Sequence, residues 1–269
     1  MARAHRHYIP GHVWHITHRC HKRAFLLKYV KDRHRWLQWL FTAKKRYGLV
    51  ILNYVVTSNH IHLLVYDDKA QGVIPKSMQL IAGRVGQEFN QRKNRKGAFW
   101  EDRYHATIVE DGEHLIRCIV YIDLNMVRAG VVDHPEQWRH GGYKEIQSPR
   151  RKCVLIDNDA LIRLAGFDDF AVFKEFHRQS VDNSIEQKRD FARESKWTES
   201  IAVGNENFLT RVKKKMQALS VGRRVRPTTE GFELRETIDP YNSHFEAEKC
   251  DIDANNTWFW NINNKIPVC

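Results

Sequence analysis

Features that cross-link or anchor a chain are scarce in this sequence. Its five cysteines are Cys20, Cys118, Cys153, Cys250 and Cys269. They are widely scattered and never form the Cys-x-x-Cys spacing of zinc or redox sites. No run of about 18 apolar residues is long enough to span a bilayer, and no N-terminal apolar stretch resembles a signal peptide. These absences predict a cytoplasmic protein with reduced thiols that folds without disulfides.

Acidic residues are few only in the first part of the chain. Residues 1–150 hold 25 Lys and Arg against 13 Asp and Glu, whereas residues 151–269 hold 19 basic and 19 acidic residues. The whole net charge of +12 therefore belongs to the first part. This asymmetry predicts a polyanion-binding domain over residues 1–150, followed by an electrically balanced extension over residues 151–269. A merely solubilising surface is the alternative interpretation.

Apolar periodicity predicts four strands and two helices in the order β-α-β-β-α-β. Their ranges in that order are 12–20, 31–48, 49–57, 61–66, 73–93 and 103–110. A further helix is predicted over 112–130. The order is typical of an α+β fold with a ferredoxin-like antiparallel sheet and helices on one face. The extension is predicted to be mainly helical, with helices over 159–181 and 205–219, and then irregular.

Two histidines stand one residue apart within the apolar segment NYVVTSNHIHLLVYDD (53–68). Alternate residues of a strand point to the same face, so His60 and His62 are expected to lie side by side. Neutral imidazoles bind divalent transition metals well, and one rigid strand holds two of them at a fixed separation. With 15 histidines in the chain such a pair also arises by chance. A functional site therefore needs a third donor and a reactive group.

The predicted helix after the fourth strand offers both groups. Tyr121 and Asn125 are four residues apart, and His114, Arg117 and Arg128 fall on roughly the same stripe. The opposite stripe is apolar. Ordinary structural roles are also open here, because half-buried packing tyrosines and polar residues near helix ends are common.

Six ordered motifs, taken together, resemble a known family. They extend over most of residues 1–215: YIPGHVWHIT, TSNHIHLLV, RKGAFWEDRYHATIV, YIDLNMVRAGVV, HPEQWRHGGYKE and VGNENFLTRV. They are similar to the successive motifs of the REP-associated tyrosine transposases, a bacterial branch of the single-tyrosine HUH transposases. The resemblance implies an HUH nuclease domain over residues 1–150. It also implies an enzyme that cleaves and rejoins single-stranded, hairpin-forming repeat DNA.

The resemblance assigns roles to the strand and helix residues. Three positions match the ligands of a divalent cation, Mg²⁺ or Mn²⁺: His60, His62 and Asn125. Tyr121 matches the nucleophile that forms a 5′-phosphotyrosine intermediate. Two positions depart from the family pattern, because Ser58 and Met126 replace prolines. Without a proline at position 126 the helix is expected to run on, which would alter where Tyr121 points.

Basic residues flank the predicted site along the chain. Four of them occupy the turn NQRKNRKG (90–97) as candidate phosphate contacts: Arg92, Lys93, Arg95 and Lys96. Further candidates for DNA binding lie in the strand and helix region and in an N-terminal arm: Arg103, Arg117, Arg128, Arg3 and Arg6. The resemblance implies that the arm reads bases beside the hairpin. Three aromatic residues offer stacking surfaces for unpaired bases, with core packing as the alternative: Phe99, Trp100 and Tyr104.

Three functions are open from the sequence. The first is the metal-dependent strand transferase. The second is a domesticated, sequence-specific hairpin-binding protein with little or no catalysis. The third is a zinc-binding structural protein, which is disfavoured because the potential metal ligands of this sequence show no four-ligand spacing. The expected partner is hairpin-forming single-stranded DNA. We expect no nucleotide cofactor, no membrane contact, and a monomer or a homodimer.

Overall fold

A computed structural model describes residues 9–68, 72–149, 151–187, 194–217 and 222–236. These residues belong to one compact unit, Met1–Glu236, built around a single sheet. Arg3 and Arg6, the predicted base-reading residues, lie outside the described part of the chain, and so does the predicted irregular segment from residue 237 onward. No helix of the described residues is long and apolar enough to cross a membrane.

The secondary structure largely follows the hydrophobic pattern. Across the described residues the sheet contains β1 (Val13–Arg19), β2 (Val50–Val56), β3 (His60–Tyr66), β4 (His105–Val109), β5 (Ala202–Gly204), β6 (Arg223–Thr228) and β7 (Gly231–Glu236). The helices are α1 (Val30–Tyr47), α2 (Val73–Arg92), α3 (Glu113–Asp123), α4 (Asn125–Arg128), α5 (Tyr143–Gln147), α6 (Asn158–Ala165), α7 (Phe170–Glu186), α8 (Lys196–Glu199) and α9 (Glu206–Met216). Short 3-10 turns lie at His21–Arg23 and Pro135–Gln137.

The first four strands and two helices form the predicted β-α-β-β-α-β unit. Hydrogen bonds join the strands in the order β2-β3-β1-β4, and each of these pairs is antiparallel. Helix α1 ends where Gly48 adopts a left-handed conformation (φ 71°), which its missing side chain permits. This strand order confirms the predicted ferredoxin-like α+β fold.

Helices α1 and α2 pack beside each other on one face of the sheet, and α3 lies on the other face. The indole of Trp100 stacks on His18 of β1 and donates to the carbonyl oxygen of Ala82 in α2. His15 is three residues before His18 and therefore points to the opposite face. There its ring meets the ring of Tyr121 in α3. The predicted nucleophile thus faces the side of the sheet that α2 leaves uncovered.

The extension after residue 150 is not helical throughout. β5 pairs in parallel with β4, and β7 and β6 continue the same sheet in antiparallel pairs. The sheet is therefore mixed, and the prediction of a helical and then irregular extension was wrong for these segments. β5 spans only Ala202–Gly204, and β6 (RRVRPT) is dominated by charge. Neither has the apolar alternation that predicts a strand. The functional division at residue 150 stays a prediction.

Two predicted helices are interrupted. The helix predicted over 112–130 ends at the close of α3, and Leu124 (φ −74°, ψ 0°) separates it from α4. The helix therefore does not run on, although Met126 replaces the proline of the family pattern. The helix predicted over 159–181 is divided by Gly166, whose left-handed conformation (φ 82°) ends α6 before α7 begins.

Candidate active site

A cleft opens at the end of the sheet where β1, β3 and β4 meet α3. Its volume is about 630 Å³, and its walls include the predicted ligands and nucleophile: His60, His62, Tyr121 and Asn125. Arg103 and Arg128 also line the cleft, together with Thr198 and Glu199 of the extension. The structure therefore brings together side chains from β3, α3 and α4, and it adds a wall from the extension.

A chain of hydrogen bonds holds the ring of His62. Nδ1 of His62 lies 2.8 Å from Nε2 of His15, and Nδ1 of His15 lies 2.9 Å from the carbonyl oxygen of Trp197. The carbonyl can only accept, so a neutral His15 donates through Nδ1 and accepts through Nε2. His62 must then carry its proton on Nδ1. Its Nε2, on the cleft side of this chain, is left with an unprotonated lone pair.

Burial keeps both of these imidazoles neutral. Loss of solvation is the main cause that lowers the pKa of His15 to about 3. The same cause, followed by the proximity of His15 and His60, holds the pKa of His62 well below its ordinary value. At neutral pH each ring therefore carries a single proton, and one nitrogen of each ring acts as an acceptor.

A second and shorter chain fixes His60. Its Nδ1 lies 2.7 Å from Oδ1 of Asn59 and 3.0 Å from the hydroxyl oxygen of Thr57. Nδ2 of Asn59 donates to the carbonyl oxygen of Arg23 at 3.1 Å, which turns the amide oxygen toward the ring. Nδ1 of His60 is therefore the donor, and in the neutral ring Nε2 carries the lone pair. Partners of this kind orient the ring and set the tautomer of metal-binding histidines.

Asn125 lies beside the histidine pair. Its side-chain nitrogen is 3.0 Å from Nε2 of His62, and a half-turn of the amide would direct the oxygen to the same point. Within the described residues no three His, Cys, Asp or Glu side chains are grouped to hold a metal. Water and substrate would have to complete the shell. Two unprotonated imidazole nitrogens and one amide oxygen nevertheless suit a divalent cation, so these residues fit the predicted group.

Tyr121 packs its ring against the histidines. The centroid of its ring lies 5.8 Å from that of His62 and 6.2 Å from that of His15. The guanidinium of Arg128 lies 4.0 Å from the centre of the Tyr121 ring and donates to the carbonyl oxygen of Tyr121 at 2.6 Å. A cation fixed in this position favours negative charge on the phenol. Arg128 is therefore the predicted arginine that lies beside the nucleophile.

Arg117, on the same predicted stripe, is engaged elsewhere. It donates to the carbonyl oxygen of Glu230 at 2.8 Å and pairs with the carboxylate of Glu113. Its neighbours are thus a hairpin of the extension and its own helix. Arg103 does line the cleft. The predicted DNA contacts of both arginines stay predictions.

Two of the four cations in the basic turn that follows α2 have structural partners. Arg92 pairs with the buried carboxylate of Asp32, and Arg95 donates to carbonyl oxygens within the turn. Lys93 and Lys96 are exposed. These two lysines are therefore the members of the turn best placed to meet phosphates.

The predicted stacking residues are mostly part of the core. Phe99 is buried. Trp100 stacks on His18 with ring centroids 4.0 Å apart, and Tyr104 packs its edge near the same ring at 6.3 Å. The structural alternative is therefore the correct interpretation for Phe99 and Trp100.

A buried polar network ties α3 to the extension. Nε2 of His177 in α7 lies 2.8 Å from Oδ2 of Asp123, and both side chains are fully buried. The other carboxylate oxygen accepts a hydrogen bond of 3.1 Å from Nδ2 of Asn53 in β2. Asp123 lies midway along the chain between Tyr121 and Asn125. The network therefore fixes the end of the helix that carries the candidate nucleophile.

Replacing His177 with alanine is expected to lower the free energy of unfolding by about 3 kcal/mol, because the Asp123 carboxylate stays buried without its partner. His134→Ala is a matched control: this ring also packs on Tyr143, but its pair with Asp182 is partly exposed. The control should lose about 1 kcal/mol or less. Urea unfolding measures both, and equal losses would contradict the role given to the buried pair.

One segment in the first half of the chain matches a family model. Residues 9–125 match the model described as "Transposase IS200 like". The match ends at Asn125, and it includes His60, His62 and Tyr121. Over these residues the chain is similar to the IS200-like transposases. The match agrees with the predicted transposase family over these residues and indicates a transposase-type function on DNA.

Two solved structures resemble the chain in part. A REP-associated tyrosine transposase bound to a REP hairpin is 18% identical, with a TM-score of 0.43, and the likeness covers 58% of this chain and 94% of that chain. A putative transposase from Deinococcus radiodurans is 17% identical, with a TM-score of 0.30 and coverage of 39% and 84%. At these TM-scores neither likeness adds to the family match. No curated protein matches the chain.

Sequence reasoning missed several groups of the cleft. His105 lines it, with Nε2 3.0 Å from a carbonyl oxygen of the extension, and His15 and Trp197 orient His62. A polar His15 within the apolar strand VWHITHR was a visible signal. Its meaning depended on the register, which pairs Thr17 with His62 and so places His15 on the same face.

Proposed function

We propose that this protein is a metal-dependent DNA strand transferase of the REP-associated branch, acting on single-stranded, hairpin-forming repeats. The observation that carries the proposal is convergence: the Tyr121 ring lies 5.8 Å from the ring of His62, and the Asn125 amide lies 3.0 Å from Nε2 of His62. The motifs that continue beyond the matched segment, HPEQWRHGGYKE and VGNENFLTRV, support the branch.

His60, His62 and Asn125 would hold the cation, Mg²⁺ or Mn²⁺, with manganese better suited to imidazole ligands. When bound, such a cation supplies Lewis acidity that stabilises the negative charge developing on the phosphate. The ligand set is uncharged, so it does not repel the anionic backbone. The hydrogen-bond chains that end at the carbonyls of Arg23 and Trp197 keep Nε2 of both histidines unprotonated and ready to bind.

Tyr121 would supply the nucleophile. Its phenolic oxygen forms a bond to phosphorus, the bond from phosphorus to the 3′ oxygen breaks, and the phenolic proton is lost while the 3′ hydroxyl gains one. One phosphodiester is exchanged for another, so rejoining needs no nucleotide cofactor. Arg128, fixed over the ring, favours the phenolate and the anionic transition state. The basic wall of the cleft, including Arg103, would hold the strand.

The test is covalent capture of DNA. The full-length protein is incubated with a labelled library of single-stranded hairpins and Mn²⁺, with and without a chelator, and is resolved on a denaturing gel. We expect a protein–DNA adduct that the chelator prevents. Retention of hairpins on native gels with no adduct under any metal condition would instead identify a binding protein that keeps the fold without catalysis.

A further inference from the structure

A short loop before α1 and the first residue of α1 expose apolar side chains beside the cleft. Phe25, Tyr29 and Val30 are 66%, 52% and 62% exposed. Large apolar side chains gathered in this way mark an interaction surface, whereas a single exposed one does not. We propose that the segment of residues 21–29, the aromatic loop, binds unpaired bases of the DNA strand entering the cleft, with Phe25 as the stacking platform. This inference rests on the proposed function.

Hydrogen bonds anchor the aromatic loop to the loop between β2 and β3 and to α1. The backbone N–H of Leu27 donates to the carbonyl oxygen of Ser58 at 2.9 Å, and that of Cys20 donates to Asn59 at 2.7 Å. The guanidinium of Arg33 donates to the carbonyl oxygen of Leu27 at 2.9 Å, and Leu27 itself is buried. Phe25 is therefore displayed on an ordered segment. A preordered platform loses little conformational entropy when a ligand binds.

The loop is continuous with the candidate active site. Arg23 lines the cleft, and its carbonyl oxygen accepts the hydrogen bond from Asn59, the residue that orients His60. Phe25 is two residues farther along, which is at most about 7 Å of extended chain. A strand whose phosphate lies at the histidine pair would thus pass the platform within a short distance.

The charge of the loop suits a polyanion. Residues 20–31 contain no Asp or Glu, whereas Lys22, Arg23 and Lys28 are exposed. Lys22 and Arg23 adopt left-handed backbone conformations, with φ of 52° and 56°. Such conformations are unfavourable for residues with side chains and often occur at functional sites. They turn two successive cations out beside the aromatic residues.

The second aromatic residue also has a cation beside it. The ammonium of Lys93 lies 5.4 Å from the centre of the Tyr29 ring, so the exposed lysine of the basic turn meets the far end of the loop. A turn closed by the N–H of Lys28 and the carbonyl of Phe25 separates the two rings. A surface of alternating cations and aromatic rings suits the binding of single-stranded nucleic acid, because the cations contact the phosphates and the bases stack on the rings.

The test compares two hairpins with Phe25→Ala in the full-length protein. One labelled hairpin carries a short single-stranded flank of mixed sequence, and the other is blunt. We expect the affinity for the flanked hairpin to fall about fivefold or more, since one base–aromatic stack is lost. The affinity for the blunt hairpin should not change. Phe25→Tyr should bind like the original protein, and so should Phe176→Ala, which removes another exposed phenylalanine on α7.

Three results would overturn the inference. These are no loss on either hairpin, an equal loss on both, or a change in oligomeric state on sedimentation, which would identify a protein-binding surface. Covalent capture by the original protein separates the two proposals. If capture succeeds while Phe25→Ala leaves flank affinity intact, only the platform fails. If capture fails in the original protein, the strand-transfer proposal fails whatever Phe25 does.

Discussion

Tyr121→Phe should abolish the covalent protein–DNA adduct, reducing it by at least about 10³-fold, because the proposed nucleophile is removed outright. Phenylalanine keeps the ring that packs against His62 and lies under the Arg128 guanidinium. The fold and the non-covalent affinity for hairpins should therefore be retained. Capture on denaturing gels and binding on native gels report the two properties separately.

Tyr104→Phe is the matched control for that experiment. Tyr104 also lies close to the cleft, with its ring 6.3 Å from that of His18, but it packs on the face of the sheet opposite to His62. This variant should form the adduct at the original rate. An adduct that persists in Tyr121→Phe, or that maps to another tyrosine by mass spectrometry, would remove Tyr121 from the mechanism.

His15→Ala should weaken Mn²⁺ binding by about 10- to 100-fold, the usual effect of losing a partner that orients a metal-binding histidine. Without Nε2 of His15, Nδ1 of His62 loses its acceptor at 2.8 Å. Its proton can then move to Nε2, which blocks the lone pair required for a metal. Electron paramagnetic resonance of free Mn²⁺ measures the affinity without reference to DNA cleavage.

Two further variants test whether an effect of His15→Ala comes from its hydrogen bond to His62. His18→Ala removes a buried histidine from the same strand but from the opposite face, so it should alter stability and leave Mn²⁺ affinity unchanged. His15→Gln offers an amide oxygen in place of Nε2 and should restore part of the affinity. Equal Mn²⁺ affinity in the original protein and His15→Ala would mean that His62 needs no such partner.

The sequence predicted the parts of the fold that local pattern specifies. Strands β1 to β4 and helices α1 and α2 have strong alternation or helical periodicity, and their predicted bounds agree with the structure to within about two residues. β5 to β7 have weaker patterns. β5 is held by pairing with β4, β7 by pairing with β5, and β6 by pairing with β7. Pairing between distant segments leaves no local trace in the chain.

The residues of the candidate site also differ in how far the local sequence pattern could predict them. His60 and His62 were recognisable because two residues of one strand share a face whatever the strand pairs with. The contact of His15 with His62 depends on the register between β1 and β3, and the carbonyl of Trp197 comes from a segment with no periodic signal. The sequence placed Arg117 and Arg128 on one helical stripe and gave no reason to choose between them as the partner of Tyr121. In the structure, the helix break at Leu124 gives the two arginines different surroundings.

Aromatic residues were misjudged for a related reason. Phe99 and Trp100 follow a basic turn and so suggested base stacking, yet they fill the space between α2 and the sheet. Phe25 and Tyr29 lie in a segment without a periodic pattern, and both are exposed. Composition alone does not tell a buried ring from a displayed one.

The position of Trp197 in α8, late in the chain, decides when the candidate site can be completed during synthesis. Trp197, whose carbonyl orients His15, emerges from the ribosome long after His60, His62, Tyr121 and Asn125 have been synthesised. A nascent chain that already carries the whole family signature still lacks the group that sets the tautomer of His62. The candidate site is thus completed only after the segment that leads into β5 has been synthesised.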